Sequence, residues 1–251
     1  MTPEDFDRLQ GLLATRAGYR LTRDRIHLAE HRLGPIARRE GYANVEALLN
    51  VETWFRRDRA PFAVLEKELL PALSGVRPGG RVNVWSAGCS TGQEAWSVAM
   101  AGLDAGVAVD LVATDLSQRA IEKARSGLYT GFEIQRGLTA HTMLRWFEPA
   151  EDNWRVRDEL ADRVRFARAN LLDEPADEAR FDVIFCRNVL GDMEPARRAR
   201  VLDGLERRLV DDGCLFLGLD EKLEGETVAF RPVSGRQGLY VKSPSAQRRA
   251  A

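Results

Sequence analysis

The chain has 251 residues, 44% of them hydrophobic, and a formal charge of -1 at pH 7, room for one α/β core plus a small accessory unit and no overall charge to hold nucleic acid. No apolar run approaches the length of a membrane span, and the acidic opening MTPEDFDRLQ lacks the hydrophobic region of a signal peptide, so a cytoplasmic protein without membrane insertion is expected. Cys89, Cys186 and Cys214 form no CxxC pair and lie far in sequence from His27, His31 and His141; they read as reduced apolar residues, with no metal centre and no thiol catalysis expected.

Residues 1–73 read as a helical unit ending in a linker helix. Phe6, Leu9, Leu12 and Leu13 recur at helical spacing after Thr2-Pro3, and Gly18 ends that helix. A second helix is expected from about Thr22 to Glu40, with Ile26, Ala29, Leu33 and Ile36 on one face and a kink at Pro35. Between Arg16 and Arg39 stand seven arginines against two acids, which is either a solvated charged face or a cradle for an acidic partner helix. Ala60 to Leu73 is amphipathic, and Ser74 to Arg81, with Pro78 and several glycines, is the junction to a second domain over residues 74–251.

That domain opens on VNVWSAGCSTGQEAWSVAM, Val82 to Met100. A short apolar strand runs into a loop of small residues, Ala87, Gly88, Cys89, Ser90, Thr91 and Gly92, and then into a helix. Such a loop lets a ligand lie against backbone, and the helix start favours an anionic group. A second strand, Val109 to Ala113, ends in Thr114-Asp115, and an acid at that place commonly holds ribose hydroxyls. Glu94 at the helix start repels phosphate and suits an ammonium, while the phosphate loop GxxxxGK[ST] and the full GxGxxG are missing. A ribose, an ammonium and a carboxylate together describe S-adenosylmethionine; an ordinary α/β turn with a strand-end aspartate is the other reading.

Further along, a helix from Ser117 carries Ile121 and Ala124 inward, Thr139 to Phe147 is a short helix, and Asn153 to Val156 and Val164 to Ala167 alternate as short strands. Phe181 to Cys186 is apolar on both faces, as a central parallel strand must be, and ends in Arg187-Asn188. A helix from about Glu194 to Leu209, the strand Cys214 to Gly218 and a final pair, Ala229 to Val233 and Gly238 to Val241, complete a mostly parallel α/β sheet closed by an antiparallel hairpin.

The strings ETWFRRD (52–58), WSAGCSTGQEAWSVAM (85–100), ATDLSQRAIEKARSGLY (113–129), FDVIFCRNVL (181–190) and LFLG (215–218) resemble, in this order, the chemotaxis receptor methyltransferases, the CheR family. The resemblance implies a class I, Rossmann-like methyltransferase sheet preceded by a small all-α N-terminal unit. It implies S-adenosylmethionine as cofactor and glutamate side chains on the cytoplasmic helices of chemoreceptors as substrate, with other signalling proteins as further candidate partners. It places Thr53, Arg57, Ala87, Gly88, Cys89, Glu94, Asp115, Asn170, Leu171 and Asn188 around the cofactor, Arg57 near its carboxylate and Asn170 and Leu171 on the adenine side. It assigns receptor contact to the basic helix, here Arg25 and Arg32, and a small antiparallel subdomain to the insert, which at about residues 148–168 is so compressed that either a small hairpin or a plain connecting loop with one core strand is expected. Three departures stand out: Val51 and Arg56 in the first motif, a short N-terminal unit, and Leu190-Gly191-Asp192-Met193 after CRN, where the family carries Tyr-Phe and this chain puts Asp192 in the tyrosine's place. The departures keep a second reading open, a cofactor-binding module with weak or no transfer, and leave undecided which of Arg56, Arg57 and Arg59 faces the cofactor.

Overall fold

The computed structural model describes residues 3–22, 24, 26–27, 52–174, 178–223 and 225–244. Arg25 and Arg32, the rest of the predicted basic helix and Val51 lie outside the described residues.

Among the described residues the main sheet has seven strands in the order β6-β2-β1-β7-β8-β10-β9. These are β1 (Val82–Ala87), β2 (Val109–Asp115), β6 (Val164–Arg168), β7 (Phe181–Cys186), β8 (Leu209–Leu217), β9 (Phe230–Pro232) and β10 (Leu239–Lys242). The first five pair in parallel, and β10 runs antiparallel to both β8 and β9, the mostly parallel sheet with its closing hairpin that the sequence predicts. Alternation along the strands builds two cores: Val82 and Val84 of β1 and Val183 and Phe185 of β7 enter one, while Trp85, Ala87, Ile184 and Cys186 enter the other. Every residue of β7 is buried, which is why it reads as one apolar run. The helix Gln93–Asp104 covers the first face through Trp96 and Met100, and the helix Pro195–Arg208 covers the second through Val201, Leu202 and Leu205.

The linker helix runs on to Val76 as Ala60–Val64, a π-helical turn Leu65–Leu69, and Leu70–Val76. Its Leu65 and Leu70 lie in the same apolar cluster as Val84 and Met100, so it shares the sheet's core. Beyond it, Arg77 donates from Nε to Asp182 at 2.5 Å and from its terminal nitrogens to Asp212 at 2.7 and 2.8 Å. Asp182, only 3% exposed, also accepts from the Asn83 amide, which ties the junction to the starts of β1 and β7. The N-terminal helix Pro3–Ala17 packs Phe6, Leu9 and Leu13 into a separate cluster that includes Tyr19 and Leu21 and touches Leu116.

The inserted element differs from the expected hairpin at 148–168. It is a three-stranded antiparallel sheet of β3 (Leu128–Thr130), β5 (Asn153–Val156) and β4 (Phe147–Ala150), whereas Val164–Arg168 pairs with β2 as the edge of the main sheet. Three-residue β3 is too short to show a period in sequence, and β6 alternates because an edge strand exposes every second residue. Tyr129 and Phe147 turn inward against Phe55 at ring separations of 5.1 and 5.4 Å. The Tyr129 hydroxyl accepts from Trp96 Nε1 and donates to the Thr91 carbonyl, so the insert braces the small-residue loop from outside. No helix among the described residues is long and apolar enough to cross a membrane.

Candidate cofactor site

β1 lies between β2 and β7, where the strand order reverses, and the crevice beyond the carboxyl ends of such strands is where open α/β sheets take their ligands. The loop after β1 is pinned there by the Gly88 and Cys89 amides, which donate to the Thr114 carbonyl at 2.8 and 2.9 Å. Gly88 has φ 83°, and a Cβ on it would meet Val189 Cγ2 at 2.5 Å; Gly92, at φ 97°, would meet Ala124 Cβ at 2.8 Å. The small residues therefore serve close packing of the loop as well as its shape. Ser90 at φ 50° and Asn188 at φ 59° hold left-handed backbone on either side of the crevice, a conformation that non-glycine residues keep only where their surroundings impose it.

One cavity collects most of the predicted residues. Thr53, Arg57, Gly88, Cys89 and Glu94 line it from the linker and the β1 side. Asp115, Asn170, Leu171, Asn188 and Asp192 line it from the ends of β2, β6 and β7. Ala87 stands apart as the fully buried last residue of β1, part of the second core rather than of the cavity wall.

Asp115 is aimed by backbone: its two carboxylate oxygens accept from the Ser90 amide at 2.8 Å and the Ser117 amide at 2.9 Å. Glu94 accepts from the Ser86 hydroxyl at 2.8 Å and from Arg187 Nη1 at 3.5 Å. Burial pushes the Glu94 carboxyl above its ordinary range, and the Arg187 charge pulls it back. Arg187 itself is 1% exposed and donates from Nη2 to Asp58 at 2.5 Å, linking Glu94 to Asp58 through one buried guanidinium. Burial pushes the Cys89 thiol well up, with Asp115 and Glu94 adding to the effect, so it stays protonated at neutral pH.

Among the three adjacent arginines the geometry is clear. Arg56 turns away to Glu66 at 3.1 Å and Asp104 at 2.9 Å, and Arg59 is exposed. Arg57 lines the cavity, donates to the Glu52 carbonyl and lies 4.3 Å from the Trp54 ring centre. Arg136 stacks on the same indole at 4.1 Å, which fixes Trp54 and through it Arg57. Asp192 sits on the 3-10 turn Leu190–Asp192, while the helix Pro195–Arg208 starts from Glu194 without a side-chain cap; the aspartate is at the cavity and does not cap that helix.

Sequence reasoning passed over Tyr19 and Trp54 on the wall and read Arg187 only as part of a strand end. It also passed over Glu221, which is 6% exposed. The Glu221 carboxylate accepts four backbone amides, from Asn188 at 2.7 Å, Leu190 at 2.8 Å, Gly191 at 3.1 Å and Gly218 at 2.7 Å. One side chain thus fixes the whole turn after β7.

Residues 51–239 match the family model described as CheR methyltransferase, SAM binding domain. The chain belongs to this family. Its relatives include the chemotaxis protein methyltransferase Cher2 of Pseudomonas putida, 31% identical over 95% of this chain and 98% of that protein. The chemotaxis protein methyltransferase of Vibrio parahaemolyticus is 37% identical over 80% of this chain and 75% of its own length. A probable biofilm formation methyltransferase, WspC of Pseudomonas aeruginosa, is 36% identical over 71% of this chain and 43% of that protein.

The chain is an S-adenosylmethionine-dependent methyltransferase of class I fold, and its cavity suits that cofactor. Of the seven buried side-chain polar atoms without a hydrogen-bond partner among the described residues, four belong to residues of the cavity wall: Arg57 Nε, Ser90 Oγ, Arg187 Nε and Asn188 Oδ1. Buried polar atoms are rarely left unpaired, and their gathering at one cavity marks where a polar ligand completes the set. Glu94 and Asp115 with the Arg57 and Arg187 guanidinium groups match a zwitterionic amino acid joined to a ribose, and Glu52 and Asp192 add two further carboxylates to the wall.

Proposed function

We propose that this CheR-family chain methylates glutamate side chains on the cytoplasmic helices of chemoreceptors. The observation that supports the reading best is the convergence of Arg57, Glu94 and Asp115 on one cavity at the sheet's switch point. In it Asp115 takes the ribose hydroxyls, Glu94 the ammonium, Arg57 the carboxylate, and Asn170 and Leu171 the adenine edge, with Thr53, Gly88, Cys89 and Asn188 completing the wall. The basic stretch that includes Arg25 and Arg32 takes the acidic receptor helix, and other signalling proteins of the kind implied by the WspC relative are further partners.

The bound cofactor supplies a methyl group on an electrophilic sulfonium. A glutamate carboxylate is already ionised near neutral pH, so the chain needs no general base. Its own groups orient and exclude: the Glu221-anchored turn and Trp54 fix the walls, and a nucleophile held in line gains from proximity and from lost water. Radiolabelled methyl transfer to receptor cytoplasmic fragments, read as base-labile methanol, tests the proposal; no label with active cofactor binding would refute it. One observation favours a second reading: Asp192 on the cavity wall would repel an incoming carboxylate, as expected of a cofactor-binding module with weak transfer.

A further inference from the structure

The exit from the N-terminal helix runs along the cavity, with Ala17 and Tyr19 on its wall. Gly18 ends the helix at φ 64°, and the chain then pairs with the turn after β7: Tyr19 forms a β-bridge with Met193, the Arg20 amide donates to the Asp192 carbonyl at 2.8 Å, and the Glu194 amide donates to the Gly18 carbonyl at 2.9 Å. On the other side, the Asn170 side chain donates to the Arg16 carbonyl at 2.9 Å, and Leu116, which follows Asp115, packs against the apolar cluster that holds Tyr19. Tyr19 is 8% exposed and lines the cavity with Ala17.

These ties set Tyr19 between the turn after β7, through Met193, and the ends of β2 and β6, through Leu116 and the Asn170 bond to Arg16, whereas Glu94 and Arg187, the charges suited to an amino acid, follow β1 and β7 and are joined to each other. The β2 and β6 side carries Asp115 and Asn170, the groups read above as ribose and adenine contacts. An aromatic ring set there offers a flat apolar face, which is what a purine base stacks on. We propose that Tyr19 is a cofactor-contacting residue whose ring packs on the adenosine half of S-adenosylmethionine, so that the N-terminal unit supplies one wall of the nucleoside site. The inference rests on the cavity being the cofactor site.

Calorimetric titration of the full chain with S-adenosylhomocysteine and with 5′-methylthioadenosine, which lacks the amino-acid half, separates the two ideas. Tyr19→Ala should weaken both ligands by the same factor, about tenfold, and Tyr19→Phe should bind both like the wild type. Tyr19→Leu keeps apolar bulk in the N-terminal cluster and serves where the alanine variant fails to fold; it should still weaken methylthioadenosine severalfold. Unchanged binding in the alanine and leucine variants, a loss confined to S-adenosylhomocysteine, or a phenylalanine variant as weak as alanine would each overturn the assignment. Asp115→Ala is the control on the site itself: if it leaves both affinities untouched, or if the wild type binds neither ligand, the cavity reading fails and this proposal with it. A loss in Asp115→Ala with silent Tyr19 variants overturns the tyrosine alone.

Discussion

Glu221 Oε2 accepts the backbone amide of Asn188 at 2.7 Å, and the other oxygen of the same carboxylate accepts Leu190 and Gly191. The turn that carries Asn188 and Asp192 is therefore held by a buried anion that never reaches the cavity. Glu221→Gln replaces one acceptor oxygen with an amide that points its own N–H groups at backbone donors. Hydrogen bonds to a charged group contribute roughly 1.5–3 kcal/mol each, so a stability loss of about 3 kcal/mol is expected in urea unfolding, together with weaker binding of S-adenosylhomocysteine. Wild-type midpoint and affinity in the variant would show that the turn stands without its anchor.

Glu94 gives a pH prediction with a definite sign. Its folded-state pKa is raised, chiefly by burial, so the folded apo protein holds that proton more tightly than the unfolded chain. The group thus favours folding below its unfolded pKa, and this advantage declines as pH rises through the window between the unfolded and the folded value. At neutral pH the ionised side chain costs the apo protein stability while serving an ammonium. Glu94→Gln should leave the apo melting temperature at pH 7 equal or higher and lower the affinity for S-adenosylhomocysteine about tenfold or more. Wild-type affinity should fall in mildly acidic buffer as Glu94 protonates, and that fall should be absent from the variant; parallel pH profiles would rule out Glu94 as the group concerned.

Asp192 bears on turnover rather than cofactor binding. A carboxylate at about 5 Å from an incoming carboxylate, at an effective dielectric near 20, is repelled by on the order of 3 kcal/mol, about a hundredfold in rate. Transfer to receptor glutamates is expected to be slow in the wild type and faster in Asp192→Tyr, or when Gly191-Asp192-Met193 is replaced by Ile-Tyr-Phe. Brisk wild-type methylation with no gain from either change would remove the repulsion argument.

Arg77 is the structural counterpart. Its charge holds Asp212 below the usual carboxylate range and neutralises Asp182, which is buried. Removing one partner of a buried pair leaves an uncompensated charge, so Arg77→Ala should cost about 3 kcal/mol in chemical unfolding. Asp182→Asn made in the same background should recover part of that loss; an additive further loss would mean that the pair is not coupled.

The parts of the molecule that were legible in sequence are those whose signal is local. Val82–Ala87, Val109–Asp115 and Phe181–Cys186 announce themselves as short, mostly apolar runs that end in turn-prone or polar residues, and Glu94 and Asp115 because they stand at fixed offsets from a loop of small residues. Glu221 gave no such signal: an acid in GLDEKL reads as solvent-facing, and only the fold brings it 33 residues back to Asn188. Tyr19 was hidden for the same reason, since its partner Met193 comes only after β7, four strands of the main sheet later in sequence. Arg187 was seen as a strand end beside Asn188, but its buried link from Glu94 to Asp58 needs three segments at once. The three-stranded insert was blurred because β3 has three residues, fewer than any alternation requires.

The Glu221 anchor also sets an order of assembly. A chain emerging from the ribosome has already made β1, β2, β6 and β7, with Asp115, Asn170 and the CRN turn, before Glu221 is synthesised. Until then the Asn188, Leu190 and Gly191 amides have no acceptor from that side chain, and the wall they form is unanchored. Ligand that binds only the finished site cannot stabilise the earlier half during translation. A truncated chain ending just short of residue 221 would therefore lack the acceptor for those amides, and the segment from Glu221 onward supplies the anchor that completes the wall.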